Sequence, residues 1–347
     1  MPDTSATTTA TSAATGAPDV AVVVPAHAAS DALRRCLEAL RACDPPATEL
    51  VVVVDGADPD TIALAERHAD RVVALPDTGG PARARNAGVA ASVSDLIFFV
   101  DSDVVVRPDF VGRIQARFLT RPTMDAMIGS YDATPPEENL LSQYKNLLNH
   151  YVHQRAGNDG WTFWGACGAI RRSVFERVGG FDESYTRPCI EDIELGHRLH
   201  AAGHRIEVAK DVQVTHLKRW TARTLLRADV LDRALPWSEL IVERAGFTDD
   251  LNISRAQRGK AVLASAGLAG AAVGLVGPRR LRRPSRGVLA GSVTALAVLD
   301  APLLRFFARQ RGPAFAVGAT AWHWWSYVYS AATFGTVLAR RVLRRRG

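Results

Sequence analysis

The sequence predicts an α/β fold: a mostly parallel central sheet flanked by helices, followed by a C-terminal transmembrane helical region. Three observations carry this prediction. Over residues 18–100, short Val- and Leu-rich runs alternate with helix-like segments, the pattern of strands buried on both faces and joined by helical crossovers. From Arg258 onward the chain holds fifteen Lys and Arg against one acid, Asp300. The same stretch contains three apolar segments, 261–277, 288–304 and 313–339.

Each element has a local reason. Val20-Ala21-Val22-Val23-Val24 is a continuous apolar run ended by Pro25. Ser30 suits an N-cap for a helix running to about Cys43. Leu50-Val51-Val52-Val53-Val54 is a second buried strand, stopped by Asp55-Gly56. A helix over 59–68 and a short strand at 72–74 follow. Gly79-Gly80-Pro81 then opens a helix over 82–91, with proline near its first position. The run Leu96-Ile97-Phe98-Phe99-Val100 closes this half. Residues 104–220 are less regular. Helices are expected near 108–119 and 137–156, a turn-rich stretch at 161–168, and a helix over 191–202 ended by Gly203. Residues 221–243 are amphipathic and suit either a core helix or one lying on a membrane surface.

Charge and cysteine content narrow the setting. The total is +6, and the tail from 258 carries +14, which leaves −8 for the rest. A basic, apolar tail on an acidic domain favours an anionic membrane leaflet and argues against nucleic acid as a partner. The four cysteines (Cys36, Cys43, Cys167, Cys189) form no C-x-x-C and no zinc spacing, as expected of free thiols. Residues 1–18 are Thr/Ala/Ser-rich without a basic start or apolar core, so a disordered tail is expected rather than a signal peptide. The resulting organisation is a tail (1–18), an α/β domain (19–223), amphipathic helices (224–257) and a membrane region (258–347). Arginine counts favour two spans, 288–304 and 313–339, with 261–277 interfacial or re-entrant and three spans as the alternative. That arrangement gives a multi-pass protein of the cytoplasmic (inner) membrane, its α/β domain facing the cytoplasm.

Asp101-Ser102-Asp103 stands immediately after a buried strand. Open α/β sheets place ligands at the carboxyl ends of their strands. Two hard oxygen ligands at that edge suit Mg²⁺ or Mn²⁺ bridging a nucleotide diphosphate.

Further motifs follow at family-like spacing. They are Val22-Val23-Val24-Pro25-Ala26, Val53-Val54-Asp55-Gly56-Ala57-Asp58, Gly80-Pro81-Ala82-Arg83-Ala84-Arg85-Asn86-Ala87-Gly88, Gly179-Gly180-Phe181-Asp182-Glu183, Glu191-Asp192-Ile193-Glu194-Leu195 and His216-Leu217-Lys218-Arg219-Trp220. Each is weak alone, but their order and spacing are specific. Over about 18–225 the chain resembles the family 2 glycosyltransferases, which have the Rossmann-like GT-A fold. The resemblance implies an inverting transferase that moves a sugar from a nucleotide-sugar donor, a UDP-sugar ahead of a GDP-sugar, to a hydroxyl of a lipid-linked or cell-envelope glycan.

The resemblance also implies roles. Asp103 would be a direct metal ligand, Asp101 would hold the ribose or a metal-bound water, and His216 would be a third ligand. Pro25, Ala26, Asp55, Arg85, Asn86 and Arg219 would contact the nucleotide, Asp55 through the base edge and Arg219 through the diphosphate. Asp192 would be the general base and Glu191 would orient it or touch the acceptor. Trp164 and Trp220 would offer stacking surfaces to the acceptor. Arg83, two residues from Arg85, is expected in solvent. His216-x-x-Arg219-Trp220 departs from the Gln-x-x-Arg-Trp of processive members, which favours transfer of one sugar or a few. Two other readings compete: a catalytically inactive membrane scaffold or sugar-nucleotide sensor, and a nucleotidyltransferase. The first should have lost Asp103 or Asp192. The second calls for a Gly-rich loop after the first strand, where this chain has Pro25-Ala26-His27-Ala28-Ala29.

Overall fold

The computed structural model describes residues 16–243 and 255–344. Most of the expected N-terminal tail and part of the 224–257 stretch lie outside the described residues. The first half follows the predicted alternation: β1 (Val20–Ala26), α1 (Asp31–Arg41), β2 (Glu49–Asp55), α2 (Pro59–Glu66), β3 (Arg71–Leu75), α3 (Pro81–Ala90) and β4 (Leu96–Val100). Ser30 caps α1, its side chain accepting the Leu33 N–H. Then come β5 (Val104–Val105), α4 (Phe110–Thr120), β6 (Ala126–Tyr131), α5 (Leu140–Arg155), β7 (Asp159–Gly160), β8 (Cys167–Arg171), α6 (Arg172–Arg177), α7 (Glu191–Ala201) and β9 (Ile206–His216).

The strands form one sheet in the order β3-β2-β1-β4-β8-β6-β9-β5, with β7 beside β9. From β3 to β4 every pairing is parallel. Beyond β4 the sheet is mixed: β8 runs antiparallel to both β4 and β6, while β6 and β9 are parallel. The expected α/β sheet with flanking helices is present, its parallel part running from β3 to β4. The 161–166 segment lies at the carboxyl end of β4, because Cys167 pairs with Val100, so β8 must run back from that edge.

Strand periodicity builds two cores. Val20, Val22, Val24, Val52, Val54, Phe98 and Val100 face α1 and α4. Ala21, Val23, Val51, Val53, Ile97 and Phe99 face α3, α6 and α7. Such side chains contribute about 1.5–3 kcal/mol each on burial. Gly88 is dictated by this packing. A Cβ there would lie 2.3 Å from Val23 Cγ1, so only glycine lets α3 approach the sheet this closely. β1 lies between β2 and β4, so the chain leaves it first to one side and later to the other. The crevice between their carboxyl ends is a topological switch point.

After β9 come α8 (Ala222–Arg227), a π-helical segment (Ala228–Ala234), α9 (Leu235–Glu243), α10 (Arg255–Val276), α11 (Arg279–Leu299), α12 (Ala301–Arg311) and α13 (Pro313–Arg344). The span assignment is corrected. Among the described residues α10 is the one helix long and apolar enough to cross a membrane; α11 and α12 add a second only if their bent pair counts as one. The expected span 288–304 is broken by a 65° bend. Asp300 sits at that break, its carboxylate accepting from Lys260 Nζ at 2.6 Å and Trp324 Nε1 at 2.9 Å. The expected span 313–339 lies in α13, which carries Trp322-His323-Trp324-Trp325-Ser326-Tyr327 and packs on α5. There Tyr144 and His323 are hydrogen-bonded at 3.1 Å (Oη···Nδ1), and Ala316 and Ala319 join Tyr144, Leu147, Trp220 and Phe307 in a third apolar cluster. These findings leave a multi-pass topology and its orientation without support.

Candidate active site

Two backbone registers bring the site together at the carboxyl end of β4. Val104 of β5 pairs with His216 of β9, and the Leu217 N–H donates to the Asp103 carbonyl at 2.8 Å. This sets His216 and Lys218 beside Asp103. On the other side, the β4–β8 register sets Trp164 and Gly165 beside Asp101.

Arg85 is the hub of the buried side. Its guanidinium donates to Asp101 Oδ1 at 2.7 Å and to Glu191 Oε1 at 2.9 Å. The Arg85 and Glu191 side chains are only 4% and 6% exposed. Burial alone would lower the Arg85 pKa, but the Asp101 and Glu191 charges overcome that and raise it. Phe181 lies under the guanidinium, 5.3 Å away. Gly165 is needed here as well: a Cβ would sit 2.7 Å from Arg85 Cζ. Glu191 Oε2 accepts the Cys189 N–H at 2.8 Å, so both oxygens of this carboxylate are engaged.

Asp192 begins α7 beside this pair. It accepts the Gly165 N–H at 3.1 Å and the Ile193 N–H at 2.8 Å. Burial pushes its carboxyl up and the Glu191 charge adds to that. Arg85 and the Gly165 N–H pull the other way, leaving it at about 7. A carboxylate poised there can exchange a proton near neutral pH.

The other side is more open. Asp103, 28% exposed, lies 3.5 Å from His216 Nε2 and 4.0 Å from Lys218 Nζ. Burial works against its ionisation, but His216 and then Lys218 outweigh it and hold the carboxyl down at about 2. Lys218 is 48% exposed and Arg219 68%, the latter held by Glu137 at 2.9 Å.

The predicted residues divide accordingly. Asp101, Arg85, Glu191 and Asp192 form one charged network; Asp103, His216 and Lys218 form another. Pro25 and Ala26 end β1 at the switch point. Asp55 is buried, and its carboxylate accepts the Gly79 and Gly80 N–H groups at 2.8 and 2.9 Å, clamping the end of β2 to the start of α3. Asn86 is tied to the turn before α7. Its amide donates to the Phe181 carbonyl and accepts the Phe181 N–H, each at 2.9 Å, and so fixes the Gly179–Phe181 turn. Arg83 pairs with Asp77 at the surface.

Two readings are corrected. Trp220 offers no open face to an acceptor: it is 5% exposed, packed with Tyr144, Leu147, Leu225 and Phe307. Asp101, Asp103 and His216 do not converge as a ready metal cage, because Asp101 is turned to Arg85; among the described residues no three His, Cys, Asp or Glu side chains form such a group.

Tyr131 was missed. Its ring stacks on His216 with centroids 4.4 Å apart and planes 8° from parallel, while Trp164 meets its other flank edge-on at 4.6 Å. The signal was faint: Tyr131 ends β6, a strand hidden in the irregular 104–220 stretch.

The fold and this edge constellation define an α/β protein with carboxylates and cations clustered at the carboxyl edge of its sheet. The chain belongs to the family described as glycosyltransferase like family 2, whose model matches residues 18–232. It is 28% identical over 228 residues to validoxylamine A glucosyltransferase of Streptomyces hygroscopicus subsp. limoneus, covering 56% of this chain and 50% of the relative. It is 28% identical over 211 residues to the succinoglycan biosynthesis protein ExoA of Rhizobium meliloti, covering 57% of this chain and 63% of that one. The chain thus spans about half to two-thirds of the length of these relatives. Among solved structures it is similar to the mannosyltransferase PcManGT from Pyrobaculum calidifontis, in complex with GDP-Man and Mn²⁺. The TM-score is 0.58 at 19% identity, covering 88% of this chain and 87% of the other. That likeness shows the GT-A-like fold.

Proposed function

We propose that this protein is an inverting glycosyltransferase using a nucleoside diphosphate sugar. It transfers one sugar, or a few, to a hydroxyl of a lipid-linked or cell-envelope glycan. The observation that carries the reading is the division of the β4 edge: a half-buried carboxylate poised near neutrality at Asp192, and an exposed limb that carries Lys218 beside Asp103 and Arg219 next to it in sequence. Asp192 takes the proton of the attacking hydroxyl. Arg85 holds Asp101 and Glu191 in place. Lys218 and Arg219 receive the diphosphate.

A divalent cation fits this donor set. Asp103 Oδ2 and His216 Nε2 stand 3.5 Å apart. Two neighbouring ligands of one octahedral ion at about 2.1 Å lie roughly 3 Å apart. Mg²⁺ commonly takes one or two protein ligands and fills the rest from phosphate and water, so a three-residue cage is not needed. When bound, the ion stabilises charge on the diphosphate leaving group. The solved relative with Mn²⁺ and GDP-Man supports a metal and a nucleotide sugar without choosing between Mg²⁺ and Mn²⁺ or between UDP and GDP. Both Asp55 oxygens already accept backbone N–H groups, which weakens the base-edge argument for UDP.

The domain limits proposed are 19–223 for the catalytic part, 224–257 for the interface helices and 258–347 for the tail. α10 anchors the protein at the cytoplasmic membrane. The test is calorimetric titration with UDP- and GDP-sugars, with and without Mn²⁺, beside Asp103→Ala. Metal-dependent binding of one donor, lost in the variant, is expected. Failure of every donor to bind would overturn the reading in favour of a scaffold.

A further inference from the structure

The C-terminal helices reach the donor limb by two ties, the first of them centred on a side-chain amide. Gln143 of α5 is buried, and its Oε1 accepts Arg311 Nε at 2.7 Å. Its Nε2 donates to the Pro135 carbonyl at 3.0 Å and the Glu137 carbonyl at 2.7 Å. Arg311, at the corner between α12 and α13, also donates to the Ala133 carbonyl at 2.8 Å. The 133–137 loop is therefore tied to that corner at both ends. Glu137 in turn holds Arg219 at 2.9 Å.

A second tie runs in parallel. The Trp220 N–H donates to Ser142 Oγ at 2.7 Å, and its carbonyl accepts Asn139 Nδ2 at 2.7 Å. Its ring packs with Phe307 of α12 and Ala316 and Ala319 of α13. The opposite partner of that ring is Lys218, whose ammonium lies 4.8 Å from the ring centroid and 4.0 Å from Asp103. Both exposed cations of the donor limb thus rest on groups that α5 shares with α12 and α13.

We infer that Gln143 and Arg311 are positioning residues: docking of the α12–α13 corner on α5 sets the Glu137 loop, and with it Arg219, at the place where the donor diphosphate is received. Neither residue touches the reacting atoms. The inference rests on the transferase reading, and it makes the C-terminal helices a determinant of donor affinity as well as an anchor. The natural control is built into the amide. Gln143→Glu keeps an acceptor for Arg311 but removes both donors to the 135–137 carbonyls. Arg311→Ala removes the tie to the helices, and Arg311→Lys retains a cation that can reach Gln143 or Ala133.

The experiment is steady-state turnover of the full-length protein in detergent, with donor varied at saturating acceptor, beside thermal melting of each variant. Gln143→Glu and Arg311→Ala should each raise the donor KM about three- to tenfold, the scale of one or two ordinary hydrogen bonds. kcat should stay within about twofold. The double variant should be no worse than the poorer single, because both lie on one path. Arg311→Lys should recover a KM within about twofold of wild type. A fall in kcat at unchanged KM, or full additivity in the double variant, would overturn the inference and leave these groups as scaffolding. Should a variant fail to fold, the other one and the Lys rescue still decide the matter. A wild-type protein that turns over no donor would instead overturn the transferase reading.

Discussion

The two sides of the β4 edge are built differently, although they start two residues apart. Asp101 faces a closed network in which Arg85 and Glu191 are nearly inaccessible and both oxygens of Glu191 are engaged. Asp103 faces His216, Lys218 and, beyond them, an Arg219 that is mostly in solvent. On the closed side a single cation, Arg85, serves the carboxylates of Asp101 and Glu191, and burial with the Glu191 charge raises Asp192. The open side carries Lys218 and Arg219 at the surface, set against Asp103 and Glu137, where their cations are accessible to a diphosphate. One side is closed around its ion pairs; the other presents its ion pairs to solvent.

The largest effect expected comes from breaking the closed side. Arg85→Ala leaves Asp101 and Glu191 without their cation, and removing one partner of a buried pair costs about 3–5 kcal/mol. We expect a markedly lower melting temperature and a loss of kcat/KM greater than ~1000-fold, read by calorimetry and turnover. An active, equally stable variant would show that the network is not structural.

Next in size is the pH profile. Asp192, raised to about 7, must be ionised to take a proton, so kcat/KM should fall about tenfold per unit below about pH 7 and level off above it. Asp103, held near 2, stays ionised throughout and adds no second limb. The stability sign is opposite. A carboxyl raised on folding contributes stability that is full below its unfolded value near 4, and that is lost as pH rises through about 7. Asp192→Asn should therefore melt higher than wild type at pH 8 and show a smaller gain, or none, at pH 5.

The open side should respond more mildly. Arg219→Ala should raise the donor KM roughly 5–20-fold, as loss of a charge-assisted contact does, with kcat nearly unchanged. Arg83→Ala, which removes only a surface pair with Asp77, should change stability by less than about 0.5 kcal/mol and activity by less than about twofold. If the two arginines behave alike, Arg219 is simply a solvated side chain.

The same contrast explains what was legible in the sequence. From Val20 to Val100 the strands β1, β2 and β4 are buried on both faces, β3 being the edge strand, and each helix has a local start signal, such as Ser30 before α1 or Pro81 within α3. Local pattern and tertiary structure agree there, so the alternation of strands and helices and the Asp101–Asp103 edge could be read directly. Between 104 and 220 the strands β6, β8 and β9 are set by pairing with distant partners, and their sequence carries little of that information. His216 and Asp103 were each visible as residues; that they meet depends on the β5–β9 register. Trp220 looked like a stacking surface because its motif resembles the Gln-x-x-Arg-Trp of processive members. Its burial depends on α12 and α13, whose docking no local pattern reveals. The tail misled for a related reason. Length and apolar content favoured 313–339, while the aromatic and histidine groups of α13 that pack on the catalytic part left α10 as the better candidate to cross a membrane.

The central claim is that the two sides act separately, one on the acceptor proton and the other on the donor. It is tested most directly by measuring donor binding and turnover of Asp192→Asn in the same preparation. The account predicts a donor affinity within about twofold of wild type and a kcat lower by about 10²–10⁴, the usual worth of a general base. A variant that loses donor affinity in proportion to its turnover, or that retains full turnover, would contradict it.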